Sequence, residues 1–466
     1  MEHLEYTIEE RENELEERQK RIFELLEDKK YFQCRDELLS CNEVDIAEIL
    51  QEVGDEYGTQ KAIMLFRILP KDTSVEVFAN LDVDEQVEVI NLITDPEIQY
   101  IMDELDFDDM IDVLEELPAN LVDKILEKTP KAERRRINTF LKYKEYSAGS
   151  LMTPDYINLR KEWTVRQALD HIKEVGMDSE TIYTCYVLDV GRKLIGIMSL
   201  RALVIQDDDL IIGDIMRSDY IYVHVDDDQE ELSELFKKYG YLAIPVVDSE
   251  GRLVGIVTFD DILDVIEEET TEDMERMGGV IDSEDKDYLD LSVLGHVKAR
   301  LPWLMLLMFS YFITGGIIQS FENALSSVIC LVTYMPMLMG TGGNSGTQAS
   351  TLIIRGMATG DVEPSDAILV VWKELRISII VGVCLSLINY LRIVFMDGQP
   401  PMVATVVCLS MILIVIVAKI IGALLPMGAK LIKLDPALMS GPMMASITDM
   451  ISLMTYFTIA KTLLNI

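Results

Sequence analysis

Positive charge is scarce in this sequence. Its 466 residues include 41 Lys and Arg against 81 Asp and Glu, which gives a formal net charge of −40. A surface this acidic repels nucleic acid and gathers small cations by focusing the electric field around them. We therefore expect no nucleic-acid partner, and two explanations of the charge stay open: solubility alone, or attraction of cations.

Catalytic and metal-binding motifs are also missing. The six cysteines include no CxxC pair, which argues against a disulfide framework or a zinc site and fits a reducing cytosol. The four histidines are scattered, and there is no P-loop or nucleophile motif, so we predict that the protein is not an enzyme. The acidic N-terminus has no apolar run, so we expect no cleavable signal peptide.

Charge and hydrophobic residues occupy different halves of the chain. From residue 297 to the end, 10 Lys/Arg nearly cancel 8 Asp/Glu, whereas residues 1–296 carry a net charge of −42. Residues 297–466 contain five hydrophobic stretches long enough to span a bilayer: Leu301–Phe321, about Leu325–Ile354, Ile368–Phe395, Met402–Met427 and Pro436–Leu464. Seven basic residues flank the stretches on the side of the membrane where the N-terminal half lies, and two flank them on the opposite side. This bias predicts a multi-pass protein of the cell (inner or plasma) membrane, with cytosolic N-terminal domains and the C-terminus outside.

The N-terminal half has three kinds of segment before it reaches the membrane. Residues 1–30 predict an exposed acidic helix, and residues 31–147 predict a superhelix of short helices ended by proline or Asp/Asn turns. Residues 148–212 and 213–266 are two copies of one strand and helix pattern, and the first copy has about five extra residues near Met177–Glu180. Residues 260–296 predict an acidic connecting helix that leads to the membrane domain, residues 297–466.

Asp449 is an isolated carboxylate within the last hydrophobic stretch. A charge at that depth costs about 2.5–3.5 kcal/mol even on lenient scales, so it rarely lacks a partner. No basic residue lies within three turns of it on the same segment. We therefore favour a cation pathway over a static interhelical pair. Lys419, inside the fourth stretch, is interpreted as snorkelling to the inner interface, with Asp449 or Asp435 as alternative partners.

Small and polar residues mark two of the hydrophobic stretches. Pro336–Gln348 contains four glycines together with Thr, Asn, Ser and Gln, which favours freed carbonyls and side chains that line a watery cavity. Close helix packing through Gly342 and Gly346 is the alternative. In the last stretch, small or polar residues share one helical face: Gly441, Ala445, Asp449 and Ser452. The predicted pore-lining residues are Asn344, Gly340, Gly342, Gly343, Gly441, Ala445 and Asp435.

Carboxylates recur along one face of the predicted connecting helix. They follow one another at steps of three and four residues: Asp261, Asp264, Glu268 and Glu272. Like charges at that spacing destabilise a helix unless a counter-charge is present. Because hard divalent cations prefer clustered carboxylates, we favour divalent binding over a solvated acidic face.

These segments together resemble the MgtE family of magnesium channels and transporters over almost the whole chain. The two repeats resemble a tandem pair of CBS domains, which often bind ATP or another adenine nucleotide between the repeats; whether this pair does so stays open. The resemblance implies a homodimer in the lipid bilayer, with Mg²⁺ passing between the membrane domains of two protomers. Its most specific segments are Pro336–Gln348, Leu434–Asp449 and Gly255–Asp273.

The resemblance also implies roles for individual residues. It places the pore carboxylate at Asp449 and the asparagine of the second span at Asn344. Its magnesium-sensing acids match Asp261, Asp264, Glu269 and Glu272 on the connecting helix, and Asp228 and Glu230 in the second repeat. Gly240 stands where some relatives have an acid, which leaves one sensing site in question. The N domain adds three candidate ligands that share a helical face: Asp108, Asp109 and Asp112.

We therefore predict a multidomain membrane protein with an all-α superhelical N domain, an α/β tandem CBS pair, a long acidic connecting helix and a five-helix α transmembrane domain. Its expected function is the uptake of hydrated Mg²⁺ through a homodimeric pore that closes when cytosolic Mg²⁺ binds the acidic domains. Two alternatives stay open. One is a membrane-anchored CBS-domain sensor of metal or nucleotide without conduction, and the other is a transporter that also takes Mn²⁺ or Co²⁺.

Overall fold

The computed structural model describes residues 8–280, 288–289, 291–322 and 328–464. The chain divides into two compact units, Met1–Ile266 and Glu267–Ile466. The first unit contains the N domain and both repeats, and the second contains the end of the connecting helix and the membrane domain. The predicted N-terminal helix is present as α1 (Ile8–Glu27), and residues 1–7 of that prediction lie outside the described part. The prediction that this helix is exposed is wrong for its second half, because Ile22 and Leu26 are buried in the core of the N domain.

Short helices fill the N domain, as the sequence predicts. After α1 they are α2 Tyr31–Leu38, α3 Glu43–Tyr57, α4 Thr59–Phe66, α5 Lys71–Ala79, α6 Val83–Leu92, α7 Asp95–Glu104, α8 Phe107–Glu116, α9 Ala119–Lys128 and α10 Lys131–Phe140. Local sequence sets several starts, because Asn42 caps α3 and Thr94 opens α7 with a capping box. From α3 to α9 each helix packs against the helix two positions along, so their apolar faces form one continuous stacked core.

The two repeats each form a small three-stranded sheet. The first has β1 Tyr156–Arg160, α11 Val165–Val175, β2 Thr181–Leu188, β3 Leu194–Ser199 and α12 Leu200–Ile205. The second has α13 Ile212–Ile215, β4 Val223–His224, α14 Gln229–Tyr239, β5 Ala243–Val247 and β6 Leu253–Thr258. In both sheets the first pair of strands is parallel and the second pair is antiparallel. The α/β tandem pair is thus confirmed.

The duplicated Met and Gly residues meet across the pair. A Cβ atom on Gly196 would lie 2.7 Å from the sulfur of Met216, and one on Gly255 would lie 2.8 Å from the sulfur of Met152. Each glycine belongs to one repeat and each methionine to the segment that leads into the other. These repeated Met and Gly residues therefore form one of the contacts that join the two repeats.

The connecting helix is shorter than predicted. It runs from the second repeat as α15 (Phe259–Gly278), and Gly279 ends it with a φ of +75°, a left-handed conformation that favours glycine. The prediction of a single helix over 260–296 is therefore wrong, because α15 ends at Gly278. Within its remainder, residues 281–287 and 290 lie outside the described part, and the next helix begins after the Ser292 cap.

Five long helices form the membrane domain within the described residues. They are α16 Val293–Ser320, α17 Leu331–Ala358, α18 Ala367–Phe395, α19 Pro401–Leu431 and α20 Gly441–Leu464. By length and composition, four of these described segments can cross a membrane, and the polar α17 is not among them. Helix α19 packs against α17, α18 and α20, and α16 packs against α20.

Two details of the predicted spans differ from the structure. The fifth span is divided into a short 3₁₀ helix, Pro436–Met439, and α20, which begins at Gly441. The glycine-rich second span is one continuous helix, so the prediction of freed carbonyls along Pro336–Gln348 is wrong. One carbonyl is an exception: Pro336 has no N–H, so the carbonyl of Val332 does not receive the usual helical hydrogen bond from residue 336.

Candidate functional site

An open groove between α17 and α20 contains Asp449. Its volume is about 550 Å³, and α20 lines it with Ala445 and Asp449. The lining residues of α17 recur at helical spacing, so one face of that helix forms the opposite wall: Val332, Met335, Pro336, Met339, Gly340, Gly343, Asn344 and Thr347. The structure thus brings Asp449 and Ala445 together with the three predicted residues Asn344, Gly340 and Gly343.

Asp449 has no partner among the residues that the structure describes. It is half-exposed in the groove, and no described side chain forms a hydrogen bond or ion pair with its carboxylate. Asn344 is exposed on the facing wall. A static interhelical pair, the alternative that the sequence left open, is not present in the described part of the chain.

The opposite face of α17 explains the other glycines. A side chain on Gly342 would collide with Ser452 of α20, and one on Gly346 would lie 2.7 Å from the terminal methyl of Met444. A Cβ atom on Gly422 of α19 would strike the carbonyl oxygen of Gly346. Close packing explains Gly342 and Gly346 on this face, while Gly340, Gly343 and Asn344 line the groove on the other face. Gly342, predicted to line the pore, lies instead at a helix contact.

Two further predicted pore residues lie outside the groove. The Asp435 side chain accepts the amide of Ala437 at 2.7 Å, capping the 3₁₀ helix, and it forms an ion pair with Arg276. Gly441 has a φ of +47°, and a Cβ atom there would collide with the carbonyl oxygen of Met277. Both residues contact the end of the connecting helix, which the sequence could not place against the last span.

Lys419 is buried rather than snorkelling. Its ammonium lies 3.8 Å from the Glu374 carboxylate, and the two residues are 6% and 8% exposed. Neither Asp449 nor Asp435 is the partner, so both interpretations from the sequence are wrong. Nothing in the linear pattern of the sequence pairs Glu374 of α18 with Lys419 of α19.

A second candidate site, the acidic cluster, lies within the first unit. We define it as six carboxylates that interact electrostatically at the starts of α8, β2 and α15: Asp106, Asp108, Asp109, Glu180, Asp260 and Asp261. Local hydrogen bonds fix one of them, because Thr258 donates from its hydroxyl and, at 3.3 Å, from its amide to Asp261. The structure thus brings the predicted Asp108 and Asp109 together with the predicted Asp261.

Burial and mutual repulsion raise the pKa values of five members of the cluster: Asp106, Asp108, Asp109, Glu180 and Asp261. Burial is the larger cause for Asp108, and with Asp261 and Glu180 it raises that pKa to about 9. Burial and Asp106 raise the pKa of Glu180 to about 7 and that of Asp109 to about 6. One Asp108 oxygen is buried without a hydrogen-bond partner in the described structure. The gathered arrangement therefore needs protons or cations to neutralise it.

The other predicted sensing residues lie elsewhere. Asp228 accepts the Glu230 amide at 3.0 Å and caps α14, and both side chains are exposed. Glu272 forms an ion pair with Arg276. Asp112 is exposed further along α8. Burial raises the pKa of Asp261, and Asp264 adds to this effect. Burial and Asp435 raise the pKa of Asp273, and Glu269 adds to this effect. No group of three or more His, Cys, Asp or Glu within the described residues has the geometry of a metal site.

Three members of the acidic cluster escaped the sequence analysis. Asp106 lies two residues before the predicted Asp108, and Asp260 directly precedes Asp261. Glu180 carried the clearer signal, because it ends the extra residues that distinguish the first repeat from the second. Alignment of the two repeats could have revealed that this insertion places Glu180 in the acidic cluster.

An α-helical N domain and a CBS pair precede helices able to cross a membrane, and an acid-containing groove lies between α17 and one of those helices, α20. These features define a multi-pass membrane protein of the cation-transporter class. Residues 335–459 match the MgtE family model, described as a divalent cation transporter. Residues 41–146 match the MgtE intracellular N domain, and residues 148–206 and 212–268 match CBS domains. The chain belongs to the MgtE family.

Similar proteins share nearly the full length of the chain. The magnesium transporter MgtE of Thermus thermophilus is 36% identical over 432 residues, which cover 90% of this chain and 95% of the relative. That of Bacillus subtilis is 32% identical over 448 residues, covering 96% and 97%. A crystal structure of the cytosolic domain of the Mg²⁺ channel MgtE in complex with ATP is 33% identical and covers 52% of this chain and 98% of its own, with a TM-score of 0.49.

Proposed function

We propose that this protein conducts hydrated Mg²⁺ along the groove beside Asp449. The observation that carries the proposal is a half-exposed carboxylate among membrane helices, with no basic partner in the described structure. Such a group is costly in a membrane unless water or a cation reaches it. The magnesium transporters that are similar to this chain support Mg²⁺ as the ion.

The groove suits an ion that keeps its water. Mg²⁺ demands octahedral oxygen ligands and dehydrates reluctantly, so it binds through one or two carboxylates and retained waters. Six waters occupy about 180 Å³ at about 30 Å³ each. The groove has about 550 Å³, and Asn344 and Thr347 offer amide and hydroxyl groups to those waters. Asp449 supplies the charge, and the facing wall of α17 orients the hydration shell.

We propose a homodimer in which the Asp449 grooves of two protomers form one pathway. The open side of the groove and the family resemblance support this arrangement. Two Asp449 carboxylates would balance the two charges of one Mg²⁺, whereas a single protomer would balance only one. Uptake is then driven by the inside-negative potential, which contributes about 4.6 kcal/mol for two charges at 100 mV.

We further propose that cytosolic Mg²⁺ closes this pathway through the acidic cluster. Six carboxylates repel one another when they are gathered, so a cation stabilises the gathered arrangement more than the separated one. The described residues hold no ready-made single-ion site, which favours hydrated ions bridging several carboxylates over one tightly ligated metal. Adenine-nucleotide binding at the CBS pair stays a prediction, as does transport of Mn²⁺ or Co²⁺.

The substitution Asp449→Asn tests the pathway, because it keeps the size of the side chain and removes its charge. We expect the flux of Mg²⁺ into liposomes holding purified protein to fall to that of protein-free liposomes, while size-exclusion chromatography shows an unchanged oligomer. Asp361→Asn, which removes an acid from the loop after α17, is the matched control and should keep the parental flux. Undiminished flux in Asp449→Asn would remove this carboxylate from the pathway.

A further inference from the structure

The first turns of α17 place a backbone carbonyl beside the groove. Pro336 lies inside this helix and has no N–H, so the carbonyl of Val332, four residues earlier, lacks its helical hydrogen bond. Val332 and Pro336 are both exposed, and both line the groove that contains Asp449. No side chain within the described part of the chain replaces the missing amide as a donor. A free carbonyl among membrane helices is tolerated where it faces a watery cavity, and the groove is such a place.

Hydrogen bonds from two tyrosines fix this end of α17. The hydroxyl of Tyr334 donates to the carboxylate of Asp397, in the loop after α18, at 3.1 Å. The hydroxyl of Tyr456 on α20 donates to the carbonyl of Leu331 at 3.0 Å. Both tyrosines are buried. The turn that contains Val332 is therefore held in position by two neighbouring elements, as a preorganised binding group requires.

The Val332 carbonyl and Asp449 lie at different depths in the groove. Ser452, three residues beyond Asp449 on α20, packs against Gly342 of α17. Val332 precedes Gly342 by ten residues, which correspond to about 15 Å along a helix. The start of α20 contacts the end of the connecting helix at Met277, whereas Val332 lies at the opposite mouth of the groove. In the topology that the sequence predicts, this mouth faces the outside.

We propose that the carbonyl of Val332 is a second binding site for hydrated Mg²⁺, which we call the outer station. The carbonyl oxygen accepts a hydrogen bond from a water molecule of the hydrated ion, so the ion keeps its water when it enters. Because this oxygen carries no full charge, it binds the ion weakly and lets it move on to Asp449. The inference rests on the proposed conduction along the groove and adds the place where the ion enters it.

The substitution Pro336→Ala tests the outer station, because it supplies the missing N–H and so occupies the carbonyl of Val332. Flux into liposomes is measured with Mg²⁺ added on the side opposite the N-terminal domains. We expect the Mg²⁺ concentration at half-maximal flux to rise about fivefold, as for the loss of one hydrogen bond. The flux at saturating Mg²⁺ should stay parental. Pro302→Ala changes a proline inside α16, outside the described lining of the groove, and is the matched control that should behave as the parent.

A shifted proline separates the effect of the carbonyl from that of the bend that proline gives to a helix. Pro336→Ala combined with Met337→Pro keeps a proline in this turn but frees the carbonyl of Thr333, a residue outside the described lining of the groove. We expect this double variant to show the same raised half-maximal concentration as Pro336→Ala. Parental values in the double variant, or in Pro336→Ala itself, would overturn the outer station.

Infrared spectroscopy of the parent decides the matter if these variants do not conduct. Protein made with valine that carries a heavy carbon isotope at its carbonyl is compared with equally labelled Val332→Ile, so the difference spectrum isolates the Val332 carbonyl. Added Mg²⁺ should move this band to lower frequency. The band of Val383, an exposed valine of α18 isolated in the same way, should not move. A Val332 band that Mg²⁺ leaves in place would contradict the proposal.

Failure of the outer station can be distinguished from failure of the pathway. Undiminished flux in Asp449→Asn would remove the pathway and the station with it. Background flux in Asp449→Asn, together with a parental concentration dependence in Pro336→Ala, would remove only the station.

Discussion

Individual residues carry the strongest evidence for the proposed cation pathway. Asp449 and Lys419 both place a charged group among the membrane helices, but their surroundings differ. Asp449 lies half-exposed in a groove without a described partner, whereas Lys419 is buried beside Glu374. A buried charge needs its partner, and an unpaired one needs water or an ion. The contrast fits a structural role for Lys419 and supports the proposed role of Asp449 in transport.

The buried pair gives a prediction about stability. Lys419→Met and Glu374→Gln each leave one charge uncompensated, so each should lower the free energy of unfolding by about 3 kcal/mol. The double variant should recover most of that loss, because no unpaired charge remains. Unfolding in mixed micelles measures this, and Lys373→Met, an exposed lysine next to Glu374, is the control. Losses that simply add in the double variant would contradict a direct pairing.

The role of a single residue could be predicted from the sequence only where the evidence for it lies within one segment of the chain. Asp449 was found because an isolated acid in a hydrophobic stretch is visible in one segment. The pairs Lys419–Glu374 and Arg276–Asp435 were missed because each joins two elements far apart in the chain. No spacing rule within a helix reveals which helix will lie beside it.

Among the elements, α17 shows how one glycine-rich segment serves two purposes. Glycine within a helix costs about 1 kcal/mol relative to alanine, which favoured the expectation of a broken segment. Contacts of Gly342 and Gly346 with α19 and α20 offset that cost, because no larger residue allows so close an approach. The face with Gly340 and Asn344 is left for the groove. Periodicity could predict both faces, but only packing shows that the helix stays intact.

The acidic cluster joins three elements and predicts a dependence on pH. Asp108, Glu180 and Asp109 have pKa values of about 9, 7 and 6, all above their ordinary values. The folded first unit therefore binds more protons than the unfolded chain, and its stability falls as the pH rises from about 6 to about 9. In EDTA, the melting temperature of this unit should fall across that range, and Mg²⁺ should reduce the fall.

Asp108→Asn provides the control for the pH dependence, because it removes the carboxylate with the largest shift while keeping its size. We expect this variant to show a shallower decline of the melting temperature between pH 6 and 9 in EDTA. Melting temperatures that do not change with pH in the parent would show that the acids are not gathered in solution as they are in the structure.

At the scale of the whole molecule, negative charge is concentrated in the N-terminal part of the chain. The first 296 residues carry a net charge of −42, and the remainder is nearly neutral. The sequence predicted this division, the all-α N domain, the CBS pair and the membrane helices, because composition and periodicity are properties of single segments. The length of the connecting helix was predicted wrongly, because acidic residues continue past Gly279, where backbone conformation ends the helix.

The flux of Mg²⁺ into liposomes holding the purified protein, with and without Mg²⁺ on the side of the N-terminal domains, tests the central claim most directly. We predict a flux well above that of protein-free liposomes when that side lacks Mg²⁺, and strong suppression when Mg²⁺ is present there. Background flux under both conditions, together with protease protection that still responds to Mg²⁺, would identify a membrane-anchored sensor and contradict transport.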